Sequence, residues 1–266
     1  MKNFTQEEIK EIISSYENGI SRRKISSIYN VSDSVILRVL KENNIEIRNI
    51  QKANSKRKFN IDDNYFDIES PNMAYIMGFW AADGNVSSKE NRLDLELASV
   101  DYEILEKIRK ELKSERPIKT YECANGYVKN KLLFWSARIK DKFAEYGIVP
   151  NKTYSKDFHA PYKLNEEYWI DYIRGFFDGD GCVKKYNSLT FELNSVNYQF
   201  LEDIRLFLIK KYNISGKITT CGTKDRNIPL YRLYYMGDKA YSIFDILYTP
   251  NSLFLTRKYN KWIELK

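Results

Sequence analysis

The sequence has 266 residues, of which 43% are hydrophobic and 30% charged, and its formal net charge is +7. It can bury the core of one or two domains, and it has no apolar run of about 18 residues that could span a bilayer. Its charged start, MKNFTQEEIK, lacks the apolar stretch of a secretory signal, so we expect an intracellular protein, cytoplasmic or associated with the nucleoid. Three cysteines without C-x-x-C spacing and a single histidine argue against a disulfide framework, a structural zinc site and histidine-based covalent catalysis.

Three short helices are predicted near the amino-terminal end, at residues 5–18, 21–29 and 32–43. Thr5 and Glu8 have the spacing of a capping box, and Gly19 suits the end of the first helix. Ser21 and Ser32 are suitable N-caps for the next two helices. Apolar residues at helical spacing predict a small core, formed by Ile9, Ile12, Ile13, Ile25, Ile28, Val35, Leu37 and Leu40.

A short second helix, a tight turn at residues 30–32 and a third helix resemble a helix-turn-helix DNA-binding unit. On this interpretation the third helix enters the major groove. The residues expected to face the groove are Ser32, Asp33, Ser34, Arg38 and Lys41. The alternative is a three-helix module that docks onto another protein.

The positive charge is concentrated towards the amino-terminal end. Residues 1–60 contain 12 Lys and Arg against 7 Asp and Glu, whereas residues 61–266 contain 31 against 29. A basic arm without acids is typical of a segment that follows nucleic-acid phosphates, although a solvated linker has the same composition. The arm's basic residues are Arg48, Lys52, Lys56, Arg57 and Lys58.

Two related segments, MGFWAADGN at 77–85 and RGFFDGDGC at 174–182, each place an acid followed by glycine at the end of a predicted helix. Ser70 and Pro71 indicate the start of the first helix, and Asn165 is the expected cap of the second. The similarity extends to LDLELASVDYEILEKIRKEL at 93–112 and LTFELNSVNYQFLEDIRLFL at 189–208. A repeat this long indicates two duplicated domains.

Each predicted helix also carries a stripe of small residues four positions apart, Gly78 and Ala82 in the first and Gly175 and Gly179 in the second. Such stripes let two backbones approach closely, which would bring Asp83 and Asp180 side by side. Two carboxylates about 4 Å apart repel by about 4 kcal/mol at an effective dielectric of about 20, and a divalent cation removes that repulsion. For either copy alone, the alternative is a glycine cap beside a solvent-facing acid.

The oxygen ligands expected for such a cation are the carboxylates of Asp83 and Asp180 and the carbonyl groups of Ala82 and Gly179. Ligands of this kind suit Mg²⁺ with several retained waters, and Mn²⁺ is the possible substitute.

MGFWAADG and RGFFDGDG resemble the two motifs of single-chain LAGLIDADG homing endonucleases, and the similarity covers roughly residue 74 to the end of the chain. The resemblance implies an α+β fold in which two pseudo-symmetric αββαββα halves form antiparallel DNA-binding sheets, with the motif helices at their interface. It also implies that Asp83 and Asp180, the last acids of the motifs, bind the metals. The first acid is present as Asp178 but is replaced by Ala81 in the first copy, at a position that is not catalytic in the family.

The resemblance further implies a basic residue close to each scissile phosphate, and the matching positions are Lys152 in GIVPNKT and Lys258 in LFLTRK. These lysines would stabilise the pentacoordinate phosphate or tune the attacking water. The alternatives are a surface loop residue for Lys152 and a helix-dipole partner for Lys258. Ser99 and Ser195 match positions at which the family places a polar residue that contacts the water network.

Alternating apolar and polar residues predict strands after each motif, as in Leu93, Leu95 and Leu97 against Arg92, Asp94 and Glu96. Further hairpins are predicted within residues 118–139 and 218–236. The basic side chains expected to point at phosphates and base edges are Lys119, Lys129, Lys131, Lys184, Lys217, Lys224, Arg226 and Arg232. For any one of them, a solvated sheet face is the alternative.

These features predict a sequence-specific endonuclease that hydrolyses DNA phosphodiesters with a divalent metal at a long asymmetric target. It would be encoded by a mobile element, free-standing or within an intron. An intron RNA maturase and a DNA-binding transcription regulator are the alternatives, and loss of the acids would be expected of the regulator. An intein is disfavoured because the chain begins MKN and ends ELK, without the residues that protein splicing requires.

The expected organisation is a helix-turn-helix domain at 1–47, a basic and then acidic linker at 48–70, and two halves at 71–163 and 164–266. The expected partner is double-stranded DNA, or the protein's own intron RNA for the maturase. We expect no membrane partner and a monomeric protein.

Overall fold

The computed structural model describes residues 4–18, 20–45, 47, 59–221 and 228–266. The chain divides into two compact units, residues 1–59 and 60–266. Several residues with a predicted role lie outside the described ranges, namely Gly19, Arg48, Lys52, Lys56, Arg57, Lys58, Lys224 and Arg226. Within those ranges, no helix is long and apolar enough to cross a membrane.

The amino-terminal unit contains the helices α1 (Gln6–Glu17), α2 (Arg22–Ile28) and α3 (Asp33–Glu42). The predicted capping box is confirmed, because Thr5 N donates to Glu8 Oε2 at 2.8 Å and Glu8 N donates to Thr5 Oγ1 at 3.2 Å. The side chain of Ser21 caps α2 as predicted. Ser32 precedes α3 but its side chain makes no capping hydrogen bond, since its Oγ lies 2.8 Å from the Oγ of Ser34 instead.

A separate core holds these three helices together, formed by the buried side chains of Ile12, Tyr16, Ile25, Ile36, Val39 and Leu40. The prediction of Ile28 as a core residue is wrong, because this side chain is 64% exposed. Ile28 is the last residue of α2. The next residue, Tyr29, packs against the core in its place, with its ring edge-on to Phe4 at 5.7 Å.

The larger unit consists of two halves with the same order of elements. The first half contains α4 (Pro71–Asp83), β1 (Gly84–Val86), β2 (Arg92–Ala98), α5 (Tyr102–Glu111), β3 (Lys119–Glu122), β4 (Val128–Trp135) and α6 (Ala137–Glu145). The second contains α7 (Trp169–Asp180), β5 (Cys182–Lys185), β6 (Leu189–Ser195), α8 (Tyr198–Tyr212), β7 (Lys217–Cys221), β8 (Leu230–Met236) and α9 (Asp238–Leu247), followed by α10 (Thr256–Leu265). The predicted α+β fold with an αββαββα order in each half is confirmed.

Each half forms a four-stranded antiparallel sheet, with the strand orders β1-β2-β4-β3 and β5-β6-β8-β7. The alternation of side chains gives each sheet one apolar face, and the pairs Leu95 with Leu132 and Leu193 with Leu233 occupy its centre. Asp94 lies on the polar side of β2 and is nevertheless buried, with only 5% of its surface exposed.

Asp94 is buried because basic side chains cover it. Its carboxylate lies 3.1 Å from Arg92 Nε and 3.3 Å from Lys131 Nζ, and Asn85 Nδ2 also donates to it. Strand alternation places these groups on the same face, but the sequence does not show that they pack over the acid.

Residues 60–70, expected to be the acidic end of a linker, are instead part of the first half. The ring of Phe66 is 1% exposed and lies edge-on to Phe143 at 4.9 Å. Asp63 accepts a short hydrogen bond from Ser136 Oγ, and Asp62 N donates to the carbonyl oxygen of Leu112. Residues of this segment therefore make specific contacts with the first half, which the acidic composition of the segment does not indicate.

The motif helices α4 and α7 pack backbone against backbone, as their small residues predict. A Cβ atom added at Gly78 would lie 1.9 Å from the carbonyl oxygen of Tyr172, and one at Gly175 would lie 2.0 Å from that of Tyr75. The two contacts are equivalent in the repeat, since Gly175 follows Gly78 by 97 residues and Tyr172 follows Tyr75 by the same number. They give the two halves a pseudo-twofold relation at this interface.

The starts of the two motif helices also follow the sequence. Ser70 caps α4 and Pro71 occupies its first turn, as predicted. Asn165 caps a short 3₁₀ turn at Glu166–Tyr168 that leads into α7. All residues of α4 from Met73 to Ala82 are buried, which is expected of a helix that is apolar on every side.

Candidate active site

The acids Asp83 and Asp180 end the two motif helices, and each is followed by glycine. Gly84 and Gly181 have ordinary extended backbones, so no left-handed conformation requires glycine here. Glycine is needed because there is no room for a side chain. A Cβ added at Gly84 would lie 2.1 Å from the ring of Trp80, and one added at Gly181 would lie 2.2 Å from the ring of Phe177. Each glycine lets the chain turn past a buried aromatic ring directly into a strand.

The two carboxylates lie close to one another at the adjoining ends of the helices. The Cβ position of Gly179 is 3.3 Å from Asp83 Oδ2, and Gly179 immediately precedes Asp180. Loss of hydration and the negative charge of Asp180 raise the pKa of Asp83 to about 6, against the opposing effect of Lys258 and Lys152. Loss of hydration also raises the pKa of Asp180, again opposed by both lysines.

Asp83 and Asp180 nevertheless reach solvent, because both residues are exposed although protein surrounds their carboxylates on several sides. Water, an ion or a phosphate can therefore approach both acids. An exposed pair of like charges does not improve packing of the fold. This pair is therefore the strongest candidate for a functional site among the described residues.

Both predicted lysines lie at the site, and each binds the carbonyl group of the residue that follows a motif acid. Lys152 Nζ donates to the carbonyl oxygen of Gly84 in a short hydrogen bond. Lys258 Nζ donates to the carbonyl oxygens of Phe177, Gly179 and Gly181 at 2.6, 2.9 and 2.7 Å. The lysines thus neutralise the negative carboxyl ends of α4 and α7.

The two lysines differ in what they can still donate. Lys258 is 7% exposed and uses all three N–H groups on backbone carbonyls, so it has none left for a substrate oxygen. Burial lowers the pKa of Lys258 to about 8 and also lowers that of Lys152, in both cases opposed by the nearby acids. Lys152 makes one hydrogen bond to protein and lies close enough to Asp180 and Asp83 to feel both charges.

The donors at the site fit a hard divalent cation that keeps several water ligands. Within the described ranges, no group of three or more His, Cys, Asp and Glu residues could hold a metal. Asp83 and Asp180 supply two carboxylates, and the Gly179 carbonyl already accepts from Lys258. Two carboxylates with water as the remaining ligands is the coordination that Mg²⁺ favours, whereas zinc sites use nitrogen and sulfur ligands.

A cavity of about 330 Å³ opens beside Asp180 and is also lined by Lys152, Thr153, Asn194 and Ser195. Ser195, the last residue of β6, therefore lies where a water network beside the acid could form. Its repeat counterpart Ser99 begins a 3₁₀ turn on the exposed surface. The two serines occupy equivalent positions in sequence but do not have equivalent surroundings.

The basic side chains of the sheets are paired with two acids that the sequence interpretation did not single out as partners. Glu96 binds Lys129 at 2.9 Å and Lys131 at 3.0 Å. Glu192 binds Lys184 at 3.0 Å and Arg232 at 3.5 Å. Glu96 and Glu192 occupy equivalent positions of the repeat, and the same residue is present at both. This identity is a signal in the sequence that could have singled out the two acids.

Other predicted DNA contacts are on the surface. Lys119 is exposed, with its Nζ 5.6 Å from the centre of the Tyr121 ring, and Lys217 is also exposed. In the amino-terminal unit, Lys41 is exposed and Arg38 pairs with Glu42 at 3.7 Å. Asp33 pairs with Arg22 at 3.3 Å instead of facing outward alone. These positions are accessible to a nucleic acid, and their role in binding stays a prediction.

Asp178, the first acid of the second motif, is buried and supports the structure. Its carboxylate accepts from Tyr75 Oη and Tyr248 Oη at 2.9 Å each and from Leu255 N at 2.7 Å. Burial raises the pKa of Asp178 to about 6, although these hydrogen bonds oppose the change. Asp178 therefore ties α7 to the segment that leads into α10.

Replacing Glu96 with glutamine should destabilise the protein by about 1 kcal/mol at pH 7, because exposed ion pairs are screened by solvent. Hydrogen bonds from Tyr121 and Lys129 lower the pKa of Glu96 from 4.5 to about 2. The stabilisation is therefore complete above pH 4.5 and is lost as the pH falls towards 2. Urea unfolding of both proteins from pH 7 to pH 2 measures this difference.

In that experiment the two unfolding curves should converge as the solution is acidified. A matched series at 1 M salt should show a smaller difference at pH 7, since salt screens the pairs. A difference that stays constant across the pH range would mean that Glu96 contributes through packing and not through its charge.

Comparison with known proteins identifies the family of the larger unit. The LAGLIDADG-like domain family matches residues 70–146 and 167–246, which together exceed half of the chain and include both motif helices. The chain is 30% identical over 197 residues to the NrdEB subunit alpha of ribonucleoside-diphosphate reductase from Bacillus subtilis strain 168. That match covers 67% of this chain but only 18% of the relative, so the chain spans less than a fifth of that protein's length.

Two solved structures align with most of this chain at low sequence identity. The homing endonuclease I-DmoI, in mesophilic variants, is 14% identical with a TM-score of 0.48, and the alignment covers 76% of this chain and 99% of I-DmoI. The N-terminal LAGLIDADG domain of DUF199/WhiA is 16% identical with a TM-score of 0.45, over 71% of this chain and 91% of that domain. Both TM-scores are below 0.5, so the family assignment rests on the two matched segments.

Proposed function

This chain belongs to the LAGLIDADG-like family, and from that premise we propose that it is a divalent-metal-dependent homing endonuclease that cuts both strands of a long, asymmetric DNA target. One observation carries the proposal. Asp83 and Asp180 meet at the ends of two packed helices, where both acids reach solvent and the negative charge of Asp180 raises the pKa of Asp83. A fold gains no stability from bringing like charges together at the negative ends of two helices, so binding a cation is the best reason for the arrangement.

In the proposed reaction, Asp83 and Asp180 hold the cation, for which we propose Mg²⁺. When bound, such a cation would act as a Lewis acid, favouring deprotonation of the attacking water and offsetting negative charge on the leaving 3′ oxygen. Lys152 lies beside both acids and has N–H groups left to donate to the phosphate. Ser195 and Asn194 line the adjoining cavity and orient water there.

We assign Lys258 an indirect part in this reaction. Its ammonium group is held by three carbonyl oxygens around Asp180, so it fixes the backbone that carries the acid. Its charge also acts on Asp83 and Asp180 through space. This role differs from direct contact with the phosphate, which the family resemblance implies for this position.

The proposal is tested by incubating the protein with a plasmid library of candidate targets in Mg²⁺, with the Asp180→Asn protein in parallel. We expect a discrete double-strand cut that depends on the metal and occurs only with the unmodified protein. Specific DNA binding without cutting, in Mg²⁺ and Mn²⁺ alike, would contradict the proposal and favour a regulator. Specific binding of an intron RNA without DNA cleavage would favour a maturase.

We also propose that the amino-terminal unit and the basic arm at residues 48–58 lengthen the contact with DNA. Deleting residues 1–58 should weaken DNA binding and reduce the steepness of its salt dependence, because each lost phosphate contact lowers the slope by about 0.9. The arm holds five basic residues, so loss of the arm alone should lower the slope by up to about 4.5. Fluorescence anisotropy at several salt concentrations measures the change.

The larger unit has its own core, so the shortened protein is expected to keep its fold. Circular dichroism of the deleted protein checks this point. A salt slope equal to that of the full chain would show that the amino-terminal unit binds something other than DNA.

A further inference from the structure

The start of α10, which carries Lys258, is bound by both halves of the larger unit. On one side, Leu255 N donates to Asp178 at 2.7 Å and Lys258 Nζ binds the carbonyl oxygens at the end of α7. On the other side, Arg257 Nε and Nη2 donate to Asp101 Oδ1 and Oδ2 at 3.1 and 3.0 Å. Asp101 belongs to the first half, so this ion pair connects the two halves next to a predicted active-site residue.

The side chain of Asp101 binds Arg257 instead of capping its own helix, α5. Asp101 is the N-cap residue of α5, a position at which aspartate usually accepts a backbone N–H, yet it makes no such bond. Its side chain is 9% exposed, and both carboxylate oxygens bind Arg257. A two-point pair between a planar guanidinium and a buried carboxylate fixes direction as well as distance.

The repeat counterpart of Asp101 makes the reciprocal connection. Asn197 caps α8 by accepting from Phe200 N at 3.0 Å, and its Nδ2 donates to the Phe158 carbonyl oxygen at 2.7 Å. Phe158 follows Lys152 by six residues and lines the cavity beside Asp180 together with that lysine. Each half therefore holds the segment that carries the lysine of the other half.

Thr256 adds a second contact, because its Oγ1 donates to Glu103 Oε2 of the first half at 2.7 Å. Thr256, Arg257 and Lys258 form the first turn of α10, where successive residues point about 100° apart. Arg257 can thus bind the first half while Lys258 binds the second. Moving either anchor would move the other.

We propose that the Asp101–Arg257 ion pair positions Lys258, so that it sets the cutting rate of one strand of the DNA relative to the other. This inference rests on the proposed endonuclease function. Arg257 and Asp101 act as positioning residues through Lys258, which in turn holds the backbone on either side of Asp180. Lys152 binds the carbonyl group of Gly84, which follows Asp83, and is not held by this ion pair, so cutting of the other strand should depend on the pair much less.

The test measures each strand separately. A duplex that carries the cleavage site is labelled with a different fluorophore on each 5′ end, and cutting is followed under single-turnover conditions. Arg257→Met and Asp101→Asn should both slow the cutting of the same strand, by about 10- to 100-fold. The cutting rate of the other strand should stay within about 3-fold of the normal rate. A nicked duplex should accumulate.

The double variant Asp101→Asn with Arg257→Met should be no slower than either single variant, because both remove the same interaction. Arg257→Lys keeps the charge but loses the two-point geometry, so it should give an intermediate strand bias. Arg138→Met is the matched control, because the side chain of Arg138 is 56% exposed and that of Arg257 is 55% exposed. Arg138 pairs with Asp67 within the first half, so it does not connect the two halves. This control should cut both strands at the normal rate.

Equal slowing of both strands in Arg257→Met would overturn the inference, because it would indicate a general loss of stability or DNA affinity. An effect of Arg257→Met without one of Asp101→Asn would also overturn it, since Arg257 would then contact the DNA itself. If the unmodified protein cuts neither strand, the proposed function fails instead, and that result is distinct from an active enzyme without strand bias.

Discussion

Replacing Asp180 with asparagine should slow DNA cleavage by about 1,000-fold, which corresponds to about 4 kcal/mol in the activation barrier. Asparagine keeps the size of the side chain but removes the charge that holds the cation. Asp83→Asn should have a similar effect, because both acids serve the same site. Binding of the DNA target without metal should change by less than about threefold, since phosphate contacts elsewhere provide most of the affinity.

The stability of these variants separates a functional role from a structural one. The pKa of Asp83 is raised to about 6, so above that pH the acid is ionised in the folded protein at a cost in stability relative to the unfolded chain. Removing the charge of Asp180 removes part of this cost, so Asp180→Asn should unfold at an equal or higher temperature at pH 7.5 without metal. A thermal denaturation series with and without Mg²⁺ measures this, and only the unmodified protein should gain stability from the ion.

Asp245→Asn provides the control, because Asp245 is an exposed acid that pairs with Lys266 at 2.8 Å on the surface. It should cut DNA at the normal rate. Normal cutting by both Asp83→Asn and Asp180→Asn would remove the proposed active site, whereas a large loss of stability in either would point to a structural role.

Replacing Gly78 with alanine should unfold or strongly destabilise the larger unit, by more than about 3 kcal/mol. The new Cβ would lie 1.9 Å from the Tyr172 carbonyl oxygen and 3.0 Å from Phe176 N, which are backbone atoms of a buried helix that cannot move aside. Gly175→Ala should have the same effect through Tyr75. A protein is typically stable by only about 5–15 kcal/mol, so either change removes a large part of the total.

Urea unfolding followed by the fluorescence of the buried tryptophans Trp80, Trp169 and Trp262 measures this loss. Gly126→Ala is the control, because nothing lies within 4 Å of the added Cβ and only the positive φ of +80° opposes the change. A left-handed backbone costs a non-glycine residue about 1–2 kcal/mol. If Gly78→Ala were as mild as this control, the motif helices could not be in backbone contact.

Local signals in the sequence were sufficient to predict much of the fold. The capping box at Thr5 and Glu8 and the proline start of α4 depend on residues a few positions apart, and the structure confirms both. The stripe of small residues predicted the close packing of α4 and α7, because small residues on one face of a helix let another backbone approach closely. The repeat predicted the two halves.

Other features depend on residues that are distant in the sequence. Lys258 was matched to a position in a family, but its three carbonyl partners belong to a helix end about 80 residues earlier. Asp101 has the sequence position of an ordinary helix cap, and nothing near it indicates Arg257 as its partner. The sequence also gives no sign that Asp94 is buried, because the basic side chains that cover it come partly from another strand.

The contacts at Gly78 and Gly175 have a consequence for how such a protein could change its target. Backbone atoms, not side chains, set the distance between the motif helices. If the sheets bind DNA as predicted, substitutions on them would therefore alter the bases that are recognised without altering the separation of the two acids. In an endonuclease of this kind, the stagger between the cuts in the two strands would stay constant while the recognised sequence diverges.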